Sequence, residues 1–126
     1  MNKSTHLEDK SYFRRQFPRR AMKRHIGILS QGHYFVCETG EIGEGGVSIV
    51  SEIVLTEGRE VVLSFQIPGG DFVFLRASVL STQKKVGESA SQKNTVTHGL
   101  SFSDIAFALK RQIRAFVSAR NEASGF

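Results

Sequence analysis

The sequence predicts a mainly β fold, a six-stranded antiparallel β-barrel followed by a C-terminal amphipathic α-helix. Two observations support this prediction. Short segments of strand character recur between residues 26 and 102, and breaks rich in glycine and polar residues separate them. After residue 103 the apolar period changes to that of a helix. The chain has 126 residues, 40% of them apolar, which is enough for one domain with its own core.

Six strands are expected along the chain, at residues 26–29, 34–37, 47–50, 60–67, 72–81 and 95–102. The fourth has the clearest period of two, with inward apolar side chains at Val61, Leu63, Phe65 and Ile67. In the fifth strand, Phe72, Phe74 and Val79 are expected to face the core. Residues 83–94 are polar and lack aromatic side chains, so we expect a long exposed hairpin loop there.

One helix is expected at residues 104–120. Its apolar side chains form one stripe at helical spacing, at Ile105, Leu109, Ile113, Phe116 and Val117. Ser103 or Asp104 is a candidate N-cap, and the later turns carry basic residues, as the helix dipole prefers. The helix therefore has an apolar face that can pack on or beside the barrel.

The positive charge of the chain is concentrated near its N-terminus. Seventeen Lys and Arg against twelve Asp and Glu give a formal net charge of +5. Seven of the seventeen lie between residues 10 and 24, where there is no acidic residue; the other ten face all twelve acids. Pro18 prevents a continuous helix here, so we expect residues 12–25 to form an extended basic arm. A local basic segment favours a small anionic partner.

Composition also excludes several classes of protein. A single cysteine, Cys37, rules out a disulfide framework. The longest apolar run, Phe72–Leu75, is too short to cross a membrane, and the N-terminus lacks the apolar stretch of a signal peptide. We therefore expect a cytoplasmic protein without membrane insertion. The expected boundaries are a flexible tail at 1–11, one domain at 12–120 (arm 12–25, barrel 26–102, helix 104–120) and a C-terminal tail at 121–126.

Enzymatic chemistry has little support in the sequence. The four histidines are scattered, and none has a second ligand at metal spacing. Cys37 lies in an alternating strand, which favours a buried structural thiol over a nucleophile. His98 is interpreted as a hydrogen-bonded barrel or rim residue. The glycines of residues 40–46 fit neither a P-loop nor a dinucleotide fingerprint. We expect no enzymatic activity, no metal and no cofactor.

Two segments remain as candidates for binding. The first holds four arginines within seven residues: Arg14, Arg15, Arg19 and Arg20. Guanidinium groups bind phosphate bidentately and stack on purines, so this segment can clamp a nucleotide; a solvated basic arm is the alternative. The second is residues 41–46, with the sequence EIGEGG, where glycines allow the backbone to approach a ligand closely. A tight turn is the simpler interpretation of that loop.

In this order the two segments resemble the PilZ domain family, bacterial receptor modules for cyclic di-GMP. The family's R-x-x-x-R motif is matched by residues 15–19, RQFPR. Its [D/N]-x-S-x-x-G motif corresponds to residues 41–46, and GLSF at 99–102 resembles its last strand. The resemblance covers residues 13–119. It implies a six-stranded antiparallel β-barrel with a C-terminal helix, which agrees with the strand count above.

The resemblance assigns the first motif to the ligand. Arg15 and Arg19 match the arginines that hold the phosphates of cyclic di-GMP and pack against its guanines. Arg14 precedes the motif where the family often keeps a further arginine, so it is a supporting candidate. Arg20 has no counterpart in the family pattern.

The second motif departs from the pattern, because Glu41 replaces Asp or Asn and Gly43 replaces Ser; Gly46 agrees with it. Glu41 keeps a carboxylate that can accept from a guanine edge, although it can also repel the phosphates. A lost hydroxyl contact at Gly43 costs about 0.5–1.5 kcal/mol, less than the about 1.5–3 kcal/mol of an arginine–phosphate contact. We therefore expect weakened rather than abolished binding.

The leading hypothesis is a cyclic di-GMP receptor or adaptor that changes the conformation of its N-terminal arm and signals to a separate, unidentified protein. The alternative is a PilZ-fold protein-interaction adaptor that has lost nucleotide binding. A weak nucleic-acid binder is a third interpretation, which the lack of a second basic stripe disfavours. Binding of one ligand or of a stacked pair stays open. We expect a monomer or a weak dimer, with Phe116, Val117 and Phe126 as candidate dimer contacts.

Overall fold

Seven antiparallel strands and one helix form the part of the chain that the structure describes. The computed structural model describes residues 17–87 and 93–124, with side chains up to residue 119. The strands are β1 (Arg19–Ala21), β2 (His25–Ser30), β3 (His33–Gly43), β4 (Gly46–Ser51), β5 (Glu60–Gln66), β6 (Phe72–Lys85) and β7 (Thr95–Phe102), and the helix is α1 (Phe107–Ser124). The predicted tail at 1–11 and the arm before Phe17 lie outside the described residues.

Six of these strands close into a barrel. Neighbours pair antiparallel in the order β3, β2, β5, β6, β7, β4, and β4 pairs back onto β3. Strand β3 closes the barrel because it pairs with both β2 and β4. Its residues 33–38 pair with β2 and its residues 38–42 pair with β4, with a register shift between Thr39 and Ile42. The predicted six-stranded antiparallel barrel with a C-terminal helix is confirmed.

The short strand β1 continues β2 along the same edge of β3. Its three residues pair with residues 41–43, just beyond the stretch that pairs with β2. Between the two strands, the buried hydroxyl of Thr39 donates to the carbonyl of Met22 and lies 3.0 Å from the Arg24 amide, whose hydrogen it accepts. The C-terminal part of the predicted arm is therefore built into the sheet.

Alternation along β5 buries Val61, Leu63 and Phe65, as predicted, and Ile67 directly after the strand is buried too. The prediction that Phe72 and Phe74 face the core is wrong, because these side chains are 60% and 74% exposed. Directly opposed residues share a face of the sheet, and Val73 lies opposite the buried Phe65. The inward residues of β6 are therefore the odd-numbered ones as far as Val79, which is buried as predicted, and a register shift follows between Val79 and Ser81.

The loop predicted at residues 83–94 is shorter than expected. Strand β6 continues to Lys85, which pairs with Thr95, so the first three residues of the predicted loop belong to the ladder. Ladder hydrogen bonds between the two backbones outweigh the polar composition that made this stretch resemble a loop.

The helix begins later than predicted, at Phe107 rather than at residue 104. Asp104 has a left-handed φ of 55°, which is incompatible with a right-handed helical turn. The carbonyl of Ala106 accepts the first helical bonds. Neither Ser103 nor Asp104 is therefore the N-cap, and that prediction is wrong.

The apolar stripe of α1 packs against the barrel. Ile113 and Val117 are buried in the core, and Phe116 is partly buried beneath the guanidinium of Arg20. Val117 is thus used inside the domain, which contradicts its predicted part in a dimer contact, whereas for the partly buried Phe116 that contact stays a prediction. Phe126 lies outside the described residues.

His98 is a fully buried barrel residue whose two ring nitrogens both have partners. Nε2 accepts from the amide of Leu55 at 3.0 Å, so the ring proton is on Nδ1. Nδ1 lies 3.1 Å from the Thr82 hydroxyl and 3.3 Å from the Ser81 carbonyl. The ring therefore links the loop between β4 and β5 to residues 81 and 82 of β6.

We expect His98→Ala to lower the free energy of unfolding by about 2–4 kcal/mol, because it leaves a cavity and an unpaired amide at Leu55. Urea denaturation followed by circular dichroism measures this change. His33→Ala, at an exposed position of β3, is the matched control and should change stability by less than about 0.5 kcal/mol. Equal stability of the two variants would contradict the structural role of His98.

Gly46 allows β4 and β7 to approach closely. It pairs with Ser101, and a Cβ at this position would overlap the carbonyl oxygen of Leu100. The neighbouring Gly45 is less constrained, since a Cβ there would meet only the ring of Phe17, at 3.3 Å. Gly46 therefore faces rigid backbone, whereas Gly45 faces a side chain that can move.

We expect Gly46→Ala to lower the free energy of unfolding by about 1–3 kcal/mol, as overpacking does. Gly45→Ala should cost less than half as much, because the Phe17 ring can shift. Thermal and urea unfolding of the two variants beside the unchanged chain measure the difference. If Gly45→Ala were the more damaging change, the constraint would lie in the loop rather than in the strand pair.

Candidate functional site

The pairing of β1 with β3 brings the end of the basic arm to the glycine-rich loop. Arg19 lies opposite Gly43, and Ala21 lies opposite Glu41. Nη1 of Arg19 is 3.9 Å from Oε1 of Glu41, and both side chains are about half exposed. Two segments separated by about twenty residues in the sequence therefore meet at one place on the outside of the barrel.

Gly43 makes this pairing possible. A Cβ at residue 43 would lie 2.7 Å from the carbonyl oxygen of Pro18 and 3.4 Å from Cγ of Arg19. A side chain here would push the arm away from β3, so glycine suits the arm position that the structure has. Glycine in place of the motif's serine thus removes a hydroxyl and also allows two backbones to lie in close contact. The sequence analysis did not predict this contact.

A cleft of about 420 Å³ opens beside this contact. Its lining includes Arg19, Glu41, Gly43 and Gly46, four of the six predicted site residues. Arg14 and Arg15, the other two, lie outside the described residues. The volume is within the range of small-molecule sites, about 300–1,000 Å³. The structure thus places the described members of both predicted motifs on one concave surface, while their roles in binding stay a prediction.

Strands β4, β6 and β7 supply further walls that sequence reasoning missed. They contribute four hydroxyl side chains and one exposed apolar side chain: Ser48, Ser81, Thr97, Ser101 and Leu80. Hydroxyls can donate to or accept from a polar ligand, and Leu80 offers an apolar surface for a ring. Ser48, Thr97 and Ser101 alternate with core positions along their strands, but the sequence does not show which strand ends meet at the loop.

Two contacts with α1 hold the loop and the arm, which form the two borders of the cleft. The Glu44 carboxylate accepts from Nε and Nη2 of Arg114, each at 2.9 Å. Nη1 of Arg20 donates to the Phe116 carbonyl at 2.9 Å, and its guanidinium lies 4.1 Å above the Phe116 ring. The hydrogen bonds and charge of Arg114, aided by Lys110, lower the pKa of Glu44, so this carboxylate is ionised at neutral pH.

The described residues offer neither an activated thiol nor a cluster of metal ligands. Burial, with a smaller contribution from Glu38, raises the pKa of Cys37 to about 11, so its thiol is protonated at neutral pH and a weak nucleophile. Within residues 17–87 and 93–124, no group of three or more His, Cys, Asp or Glu side chains could hold a metal ion. The helix that the structure describes is not long and apolar enough to cross a bilayer.

Comparisons with solved structures identify the same fold in several proteins. The MotI/DgrA inhibitor of motility from Bacillus subtilis superposes with a TM-score of 0.71 at 18% identity, covering 86% of this chain and 52% of that one. This chain thus spans about half the length of MotI/DgrA. The PilZ domain of YcgR from Escherichia coli, solved with c-di-GMP, has a TM-score of 0.67 at 14% identity, with coverage of 90% and 99%.

The PlzA protein from Borreliella burgdorferi, also in complex with c-di-GMP, has a TM-score of 0.57 at 14% identity, covering 88% of this chain and 45% of that chain. A search of curated proteins found no match. In the scan of family models, the PilZ domain matches residues 13–119, which is most of the sequence. This match, which agrees with the barrel and its helix, shows that the chain belongs to the PilZ domain family.

Proposed function

We propose that this chain is a receptor for cyclic di-GMP that binds the nucleotide in the cleft between the N-terminal arm and the loop at residues 41–46. The observation that supports it most is the position of Arg19, Glu41, Gly43 and Gly46 on one cleft. Family membership and the two similar structures that hold c-di-GMP point to the same ligand. Arg14 and Arg15 enter this proposal through the motif alone.

Arg19 is suited to a phosphate of the ligand. Its guanidinium is exposed at the mouth of the cleft, and its fork can donate two parallel hydrogen bonds to phosphate oxygens. The present ion pair with Glu41 is exposed and long, so exchanging it for a phosphate costs little. We therefore assign Arg19 the phosphate contact that the first motif implies.

Glu41 is suited to the guanine edge, where two kinds of N–H group need an acceptor. Its carboxylate lies on the same side of the cleft as Arg19, and it is released when Arg19 turns to a phosphate. An ionised acceptor strengthens such hydrogen bonds about twofold over a neutral one. The repulsion between this carboxylate and the phosphates is the competing effect.

Signalling to a separate protein is the second part of the proposal. Since residues 19–21 are fixed on β3, we place the hinge of a ligand-linked arm movement at Phe17–Pro18, where the proline lacks an N–H for the ladder. The arm before this hinge would then present a different surface to the partner in the bound state.

A second candidate function, an adaptor that no longer binds nucleotide, is favoured by an apolar patch on the outer face of β2, β3, β5 and β6. Phe72, Phe74 and Tyr34 are 60–74% exposed, and Val36 is also exposed. Tyr34 reaches across Gly27 towards Ser64 because glycine leaves room for its ring. Exposed apolar patches on soluble domains commonly mark protein contacts, so this face suits a partner under either function.

Calorimetric titration of the full chain with cyclic di-GMP tests the receptor. We expect binding by the unchanged chain and about 10- to 100-fold weaker binding by Arg19→Ala, from the loss of a charge-assisted phosphate contact. Arg59→Ala, which removes a positive charge at the start of β5, is the matched control. The fitted stoichiometry distinguishes one ligand from a stacked pair.

Absence of heat and of any thermal shift at high ligand concentration would reject the receptor and leave the adaptor. A parallel titration with duplex DNA examines the third interpretation, for which a steep dependence of binding on salt is the signature.

We expect Glu41→Ala to weaken binding of cyclic di-GMP about five- to tenfold, because a guanine edge loses its acceptor. The same calorimetric titration measures it, with Glu57→Ala in the loop between β4 and β5 as the control for loss of one negative charge. Tighter binding by Glu41→Ala alone would show that the carboxylate opposes the phosphates, and would remove it from the set of ligand contacts.

A further inference from the structure

The side chain of Glu44 belongs to the loop at residues 41–46 but points away from the cleft, to the helix. Its two carboxylate oxygens accept from Nε and Nη2 of Arg114, each at 2.9 Å, across seventy positions of sequence. The Glu44 side chain is only 16% exposed, while that of Arg114 is 55% exposed. A bidentate pair of this kind fixes the direction as well as the distance between its partners.

Strand pairing holds both sides of this segment, because residues 41–43 pair with β1 and Gly46 pairs with Ser101 of β7. The turn between them consists of Glu44 and Gly45, so Glu44 has the turn's only side chain beyond Cα, and Ile42 before it is buried in the core. Ile42 thus anchors the first half of the loop. In the second half the side-chain anchor is Glu44, helped by a backbone bond from Phe102 to the Gly45 carbonyl at 2.9 Å. Glycine-rich segments lose much conformational freedom on ordering, so an anchor here matters.

The arm is fastened to the same turn of the helix. Arg20, next to Arg19, donates to the carbonyl of Phe116, two residues after Arg114. Its guanidinium also lies over the Phe116 ring, 4.1 Å from the centroid. One turn of α1 therefore contacts both borders of the cleft, the arm through Arg20 and the loop through Glu44.

We propose that Arg114 is a positioning residue for the nucleotide site, holding the loop through Glu44 in the shape that the ligand needs without touching the ligand. This inference rests on the proposed function, cyclic di-GMP binding in this cleft. A preordered loop raises affinity because its ordering cost is not subtracted from the binding free energy. By reciprocity, the bound ligand strengthens the attachment of α1 to the loop by the same factor.

The direction in which Glu44→Gln changes the affinity for cyclic di-GMP distinguishes a positioning role from a long-range effect of charge. Glu44→Gln removes a negative charge beside a site for an anion, so long-range electrostatics alone predicts tighter binding of cyclic di-GMP. The positioning role predicts weaker binding, because the loop loses its bidentate anchor. We expect Glu44→Gln and Arg114→Ala each to weaken binding about three- to fivefold, the range of an ion pair of this exposure.

The closing experiment is calorimetric titration of the full chain and five variants with cyclic di-GMP. Arg114→Lys keeps the charge but not the fork and should recover part of the loss. The double variant Glu44→Gln/Arg114→Ala should bind no more weakly than either single variant, as one shared interaction requires. Arg111→Ala, which removes an exposed cation from the same helix, is the matched control and should change affinity less than about twofold.

Amide hydrogen exchange of residues 44–47 accompanies the titrations and should accelerate in Arg114→Ala, while exchange in β5 stays unchanged. Unaltered affinity in Glu44→Gln and Arg114→Ala, or tighter binding by Glu44→Gln, would overturn the positioning role while the receptor function stands. Absence of binding by the unchanged chain would instead overturn the proposed function on which the role depends. Acceleration of exchange throughout the barrel would assign Arg114 to general stability and also overturn it.

Discussion

Close contact between backbones at two glycines is the constraint on which the site depends. Gly43 lets the arm lie on β3, because a Cβ there would come within 2.7 Å of the carbonyl oxygen of Pro18. Gly46 lets β4 meet β7 against the carbonyl of Leu100. The first contact brings Arg19 to the loop, and the second closes the barrel beneath it. The glycines of the second motif are thus explained by packing before any ligand is considered.

Period and composition were sufficient to predict the barrel and its helix, and family resemblance was needed to join the two motifs. None of these could predict the register in which the strands pair, and the register decides which side chains face the core. Phe72 and Phe74 have the residue type of core positions, yet the pairing of β5 with β6 turns them outward. The hydroxyls that line the cleft were missed for the same reason, because only the paired strands show which outward positions surround the loop.

Contacts between distant parts of the sequence account for the other features that sequence analysis did not predict. Glu44 and Arg114 are seventy residues apart, and Arg20 is ninety-six residues from Phe116. No local pattern marks such pairs, so the sequence assigns no role to Glu44, and Arg20 has no counterpart in the family pattern. The basic arm had been considered as a clamp for an anion, but one of its arginines is used to hold the helix.

One cavity lies beside both the apolar patch and the first turn of α1. It measures about 320 Å³ and is lined by Phe74 and Arg76 of β6, by Ile105 and Ala106 before the helix, and by Leu109 of the helix. The turn that holds the arm and the loop, at residues 114–116, lies about 12 Å further along the helix axis. A helix transmits a shift along its length because its backbone is hydrogen-bonded throughout. Under the positioning role proposed above for Arg114, a ligand that tightens the loop acts on a helix whose first turn lines the same cavity as Phe74.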